Sequence, residues 1–262
     1  MSVRFHILIP ARLASTRLPR KPMALLGGRP LIVRVLERAL AAGAESVHVA
    51  TDSAEIAAVV TEAGGSVLMT GSAHLSGTDR LAEAAGLLGL GDEEIVVNLQ
   101  GDEPMMPIAC LRQVAELLDR DVQARMATLW QPIECEEQWR NPNVVKLVSN
   151  ARQRALYFSR APVPYPRDAI FRPGAACRHI GLYAYRVAAL ADWADLPASA
   201  LEAAESLEQL RALSAGWVIA CAQASAEVPA GIDTPDDLAR IQSLFAASGA
   251  AAADGAAAPG ER

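Results

Sequence analysis

The sequence predicts an α/β domain: a largely parallel sheet covered by helices on both faces. Apolar runs of strand length alternate with segments of helical apolar spacing through the first half of the chain, and glycine and proline punctuate the joints. The 262 residues, 52% hydrophobic and 21% charged, suit a folded chain with a substantial core, as one large α/β domain or two small ones.

Residues 4–10 read as a buried strand, and 30–42 (PLIVRVLERALAA) have helical spacing with a proline suited to the first turn. Residues 47–51 form a second strand, and 52–63 a helix closed by Gly64 and Gly65, which supply a left-handed exit. A short strand at 67–69, a helix at 79–88, an apolar strand at 94–99 (EIVVNL) and a helix at 108–118 follow. Helices between successive strands return the chain to the same edge, so the strands run parallel. The second half is less regular, with strands expected at 126–131, 144–148, 155–159 and 179–185. Helices at 187–195 and 200–215 precede a strand at 217–222. Thr234-Pro235-Asp236-Asp237 opens the last helix, with Thr234 as cap, proline at the first position and acids on the positive end of the dipole. The alanine-rich tail at 247–262 is expected to be disordered.

A formal net charge of −6 argues against a nucleic-acid or membrane-surface binder, which needs a wide basic field. The opening apolar stretch is too short for a signal peptide, and no run approaches the roughly 18–20 residues that span a bilayer, so a cytoplasmic location is expected. Cys110, Cys135, Cys177 and Cys221 are widely spaced without a C-x-x-C, which suggests neither a disulfide framework nor a zinc site.

Against that acidic background, LIPARLASTRLPRKP (8–22) places Arg12, Arg17, Arg20 and Lys21 directly after the first strand. In an open parallel sheet, ligands bind beyond the carboxyl ends of strands, and the turn after the first is a common phosphate site. The loop is neither a Walker loop nor a G-x-G-x-x-G dinucleotide turn. Lysine occurs only at Lys21 and Lys146 among 24 basic residues, so its use in this loop points to a compact point charge. An exposed turn with solvated arginines is the competing reading. NLQGDEP (98–104) sets Asp102 and Glu103 past another strand end, on the same sheet edge. A carboxylate facing bound phosphates would repel them unless a hard cation such as Mg²⁺ lay between; a plain Gly-Asp turn is the alternative. Asp233 precedes the capping Thr234, which leaves its carboxylate free for other work.

Eight segments occur in the order found in the 3-deoxy-manno-octulosonate cytidylyltransferases, or CMP-Kdo synthetases, and the chain resembles that family from about residue 4 to about 244. They are PARLASTRLPRKP, SGTDR (76–80), NLQGDEP, NPNVVKLV (141–148), LYFSR (156–160), RHIGLYAYR (178–186), LEAAESLEQLR (201–211) and IDTPDDL (232–238). The resemblance implies a single three-layer α/β/α domain over 1–246, Rossmann-like with a largely parallel mixed sheet, which converts CTP and Kdo to CMP-Kdo and pyrophosphate for lipopolysaccharide synthesis. By motif, Arg12 and Lys21 are expected on the triphosphate, with Ser15 and Arg17 shaping the loop and Gly77, Arg80 and Gln100 on the cytidine side. Asp102 and Asp233 match Mg²⁺ ligands, and Arg160, His179, Tyr183, Glu208 and Gln209 match the sugar-acid site. A guanidinium at Arg160 suits a carboxylate substrate, which it can grip at two points. A homodimer is expected, with the second half of the chain supplying much of the interface. Arg20 stands where the family commonly has glycine, which predicts a stiffer loop or an additional phosphate contact. Transfer to another sugar acid, such as a sialic acid, and a catalytically silent nucleotide-binding module are the competing functions.

Overall fold

The computed structural model describes residues 3–254 except 16 and 75, with side chains through Phe245. β1 (His6–Ala11) is almost wholly buried, as its unbroken apolar run requires of a central parallel strand. Beyond its loop, a short 3₁₀ turn (Lys21–Met23) and the hairpin β2 (Leu25–Leu26) and β3 (Arg29–Pro30) lead into α1 (Leu31–Leu40). There follow β4 (Ser46–Thr51), α2 (Ala54–Glu62), β5 (Ser66–Met69), α3 (Gly77–Leu88), β6 (Ile95–Asn98) and α4 (Ile108–Arg120). The second half contributes β7 (Ala124–Pro132), α5 (Glu136–Arg140), β8 (Lys146–Ser149), β9 (Ala155–Ser159) and β10 (Cys177–Arg186). It ends with α6 (Val187–Trp193), α7 (Ala200–Glu205), α8 (Gln209–Ser214), β11 (Val218–Gln223) and α9 (Pro235–Asp254).

The main sheet runs β11-β7-β10-β6-β1-β4-β5, and β8 leaves it to pair with β10 and β9. Of the seven strands on this path only β10 runs against the rest: it is antiparallel to both β6 and β7, while the other pairs are parallel. One face packs against α1, α2 and α4 through residues such as Ile32, Val60 and Leu111. The other packs against α3, α6 and α8 through Leu81, Trp193 and Leu210. The predicted three layers and mostly parallel sheet are therefore present.

Local chemistry explains most element ends. Ser53 caps α2, accepting from the Ile56 N–H, and Gly64 leaves it at φ 79°. Ser76 and Asp79 form a reciprocal capping box at the start of α3. Thr234 accepts from the Asp237 N–H at 3.2 Å and Asp237 returns the bond, so Thr234 takes the cap and Asp233 does not.

Two expectations are corrected. The single helix expected over 200–215 is two, α7 and α8, broken at Ser206 (φ 51°, ψ 51°), whose carbonyl accepts a long-range bond from Arg160. The first hairpin and α5 also went unread, being too short for either period to register. The α9 helix is described to Asp254, within the 247–262 span expected to be disordered, and residues 255–262 lie outside the described residues.

Candidate active site at the sheet's switch point

β1 has β4 on one side and β6 on the other: the chain builds outward through β4 and β5, then returns past β1 to lay down β6. At such a reversal the loops leaving the two central strands diverge and open a crevice. The loop after β1 carries Arg12, Ser15, Arg17 and Lys21; the loop after β6 carries Gln100 and Asp102. All six, together with Gly77, Arg80 and Asp233, line one cavity of about 750 Å³.

At its floor the two aspartates converge. The Lys21 ammonium lies 2.6 Å from Asp102 Oδ2 and 3.0 Å from Asp233 Oδ1, and Arg17 Nη2 lies 3.1 Å from the same Asp233 oxygen. Burial disfavours the Lys21 charge, but attraction and hydrogen bonds from Asp102 and Asp233 outweigh it and raise its pKa. The backbone fixes this meeting: the Ile232 N–H donates to the Asp102 carbonyl at 3.0 Å, stitching the loop before α9 to the loop after β6. Gly231 is required there, because a Cβ on it would stand 2.9 Å from Glu103 Oε1 and 3.2 Å from the Asp102 carbonyl oxygen. Glu103 behind them is held protonated to about pH 8, first by burial and then by the neighbouring Asp102.

One wall of the cavity is the α3 N-terminus, where Ser76 and Gly77 pack against Pro10. Its free N–H groups present partial positive charge to an anion. Arg80, one turn on, is buried; its guanidinium donates to Thr70 Oγ1 at 2.5 Å and sits 3.3 Å from Asp52. Arg20 behaves otherwise. Its backbone is left-handed (φ 56°), and its side chain pairs with Glu55 outside the cavity lining.

A second cavity of about 330 Å³ adjoins the first and shares Gln100 and Glu208 with it. His179, Tyr183 and Gln209 line it. β10 supplies the first two, and a register shift between Ile180 and Tyr183 re-aims its side chains there. His179 Nε2 meets Thr128 Oγ1 at 3.1 Å, and enclosure, helped by Arg178, pushes its pKa down to about 3, so the imidazole is neutral. The Tyr183 hydroxyl is buried without a hydrogen-bond partner among the described residues. Glu208 accepts from Thr78 Oγ1 at 3.0 Å, and burial raises its pKa.

Arg160 is the expected site residue that the structure keeps apart. It lines neither cavity; its guanidinium donates to the carbonyls of Glu205 (2.6 Å), Pro142 (3.0 Å) and Ser206 (3.4 Å). The sequence reading passed over His74, Ser76, Thr78 and Asn98, which line the cavities. The sequence holds a signal for each: Ser76 and Thr78 lie in SGTDR, His74 just ahead of it, and Asn98 opens NLQGDEP.

Convergent carboxylates facing a cationic turn, with an acceptor-sized cavity alongside, are what transfer of a nucleotidyl group demands, and the sheet's switch point is where such a fold holds its nucleotide. Fold and site together define a nucleotidyltransferase. The comparisons narrow the class. Residues 6–222 match the family model described as Cytidylyltransferase. The chain is 49% identical over 249 residues to the 3-deoxy-manno-octulosonate cytidylyltransferase of Cellvibrio japonicus, covering 92% of this chain and 98% of that one. To the enzyme of the same name from Xanthomonas campestris pv. campestris (strain 8004) it is 53% identical over 250 residues, covering 92% and 100%. A solved structure of CMP:2-keto-3-deoxy-manno-octonic acid synthetase complexed with CTP superposes with a TM-score of 0.87 at 41% identity, covering 94% of this chain and 99% of that one. The chain belongs to the 3-deoxy-manno-octulosonate cytidylyltransferase family.

Proposed function

We propose that the protein transfers the cytidylyl group of CTP to the anomeric hydroxyl of Kdo, giving CMP-Kdo and pyrophosphate. The observation that carries this reading is the meeting of Asp102, Asp233 and Lys21 at the floor of one cavity, with a second polar cavity opening beside it. In the transfer, the sugar hydroxyl oxygen bonds to the α-phosphorus and releases its proton to solvent, the bond from that phosphorus to the bridging oxygen breaks, and pyrophosphate leaves with the electron pair. No protein nucleophile is needed; positioning and charge stabilisation suffice.

Each residue has a part. Arg12, Arg17 and Lys21 hold the triphosphate and offset charge accumulating on the leaving group, while Ser15 shapes the turn. Gly77, Arg80 and Gln100 face the cytidine side. Asp102 and Asp233 fit Mg²⁺: both offer hard oxygen donors, and both already aim at a single cationic point, the Lys21 ammonium. Bound there, Mg²⁺ would neutralise phosphate charge and make a nearby hydroxyl more acidic. In the neighbouring cavity, neutral His179, the unpartnered Tyr183 hydroxyl, Glu208 and Gln209 are suited to the hydroxyls of a sugar acid.

No helix of the described residues is long and apolar enough to cross a membrane, and we place the enzyme in the cytoplasm, where CTP is made and where CMP-Kdo would enter lipopolysaccharide synthesis. A homodimer is proposed through the second half of the chain, where Leu156, Tyr165 and Ile170 are each more than half exposed.

Incubation with CTP, Kdo and Mg²⁺ is expected to yield CMP-Kdo by mass spectrometry, and Asp102→Asn to lose most turnover while melting near wild type. Turnover of a sialic acid but not of Kdo would overturn the substrate assignment. An Asp102→Asn variant with normal Mg²⁺-dependent activity would remove Asp102 from the site.

A further inference from the structure

The break between α7 and α8 is fastened from outside the acceptor cavity. Ser206 has left-handed backbone there, a conformation that a residue with a Cβ keeps only when its surroundings impose it. The Glu205 carboxylate accepts from Ser159 Oγ at 2.7 Å and from the Arg160 backbone N–H at 2.8 Å. Arg160 answers with its side chain: Nε donates to the Glu205 carbonyl and Nη2 reaches the Ser206 carbonyl. Behind them the fully buried Lys146 donates to the Arg160 carbonyl at 2.8 Å and to those of Asn141 and Val144. Everything before the kink is thus tied to the end of β9.

Immediately after it come Glu208 and Gln209, which line the acceptor cavity. In an unbroken helix, residues 205 and 209 would share one face. The left-handed residue between them lets Glu205 bond to β9 while Gln209 turns to the cavity. We propose that Glu205, gripped by Ser159 and Arg160, is a positioning residue for acceptor recognition: it fixes the Ser206 turn from which Glu208 and Gln209 enter the cavity. This rests on the assignment of that cavity to the sugar acid.

The test is steady-state pyrophosphate release by the full chain, combined with amide hydrogen exchange over 206–210. Glu205→Ala is expected to raise the KM for Kdo about tenfold while the KM for CTP stays within about twofold. In a Gln209→Ala background the same substitution should raise the KM for Kdo by clearly less than in the wild-type background, because one of the two residues it positions is gone. Exchange over 206–210 should quicken in Glu205→Ala and stay unchanged over α9. Should Glu205→Ala fail to fold, Ser159→Ala carries the same test with about a threefold KM effect. Equal rises in both KM values, or an undiminished effect in the Gln209→Ala background, would overturn the clamp. If wild type fails on Kdo while exchange over 206–210 responds as stated, the substrate reading falls and the clamp stands; unchanged exchange refutes the clamp.

Discussion

Replacing Lys21 by methionine removes one positive charge and keeps most of the stem. The lost ammonium is bonded to Asp102 at 2.6 Å and Asp233 at 3.0 Å, so the variant leaves two carboxylates facing each other with only Arg17 beside Asp233. Lys21 and Asp102 are shielded, with side chains 16% and 27% exposed, whereas Asp233 is 43% exposed. A hydrogen bond to a shielded charged group is worth about 1.5–3 kcal/mol, and the screened half contributes about 0–1 kcal/mol. Together these give a stability loss on the order of 2 kcal/mol. Turnover suffers more, because a preorganised cation facing a leaving pyrophosphate is worth about 10²–10³ in kcat. Pyrophosphate release should show kcat/KM lowered by that factor, while urea unfolding shows the smaller stability change and a protein still folded at assay temperature. Arg120→Ala is the fitting control: its side chain is 74% exposed on α4 and among the described residues pairs with Glu116 four residues away. Arg38 would not serve, since its guanidinium holds the Pro104 carbonyl beside the acidic loop. A Lys21→Met enzyme within threefold of wild type, or one whose activity loss merely tracks its unfolding, would refute a role in charge stabilisation.

Gly231→Ala should destabilise the protein by about 1–3 kcal/mol and lower turnover as well, because the new methyl meets the Asp102 carbonyl that the Ile232 N–H holds in place; an unchanged melting temperature would contradict the close approach. His179 bears on acid stability: neutral when folded down to about pH 3 but protonated below about 6.5 when unfolded, it makes stability fall as pH drops between those values, by up to about 1.4 kcal/mol per pH unit. His179→Gln should flatten that slope relative to wild type in urea titrations, and an identical slope would mean that the folded imidazole titrates normally.

Much of the architecture is legible in the sequence because the signals are local. An apolar run such as EIVVNL, a serine or threonine ahead of a helix and a glycine behind one act within a few residues, and the corresponding elements stand where those signals put them. The failures are equally physical. The alanine-rich spacing of 200–215 carries no break, and the contact that Ser206 makes there is with Arg160, 46 residues away in sequence. Arg20 reads as a stiffer loop position or an additional phosphate contact, and the fold gives it a φ of 56° with its side chain on Glu55, neither of which is a local signal. Arg160 looks like a free carboxylate fork and instead fastens three main-chain carbonyls.

The sequence by itself determined the strand and helix alternation, the caps, the concentration of positive charge after the first strand and the presence of acids beyond two other element ends, all properties of short stretches. Only the tertiary structure decided that those acids meet. Lys21 joins Asp102 and Asp233 across 81 and 212 positions of chain, and it does so because the strand order reverses at β1, bringing the loops after β1 and β6 and the entry to α9 to one edge of the sheet.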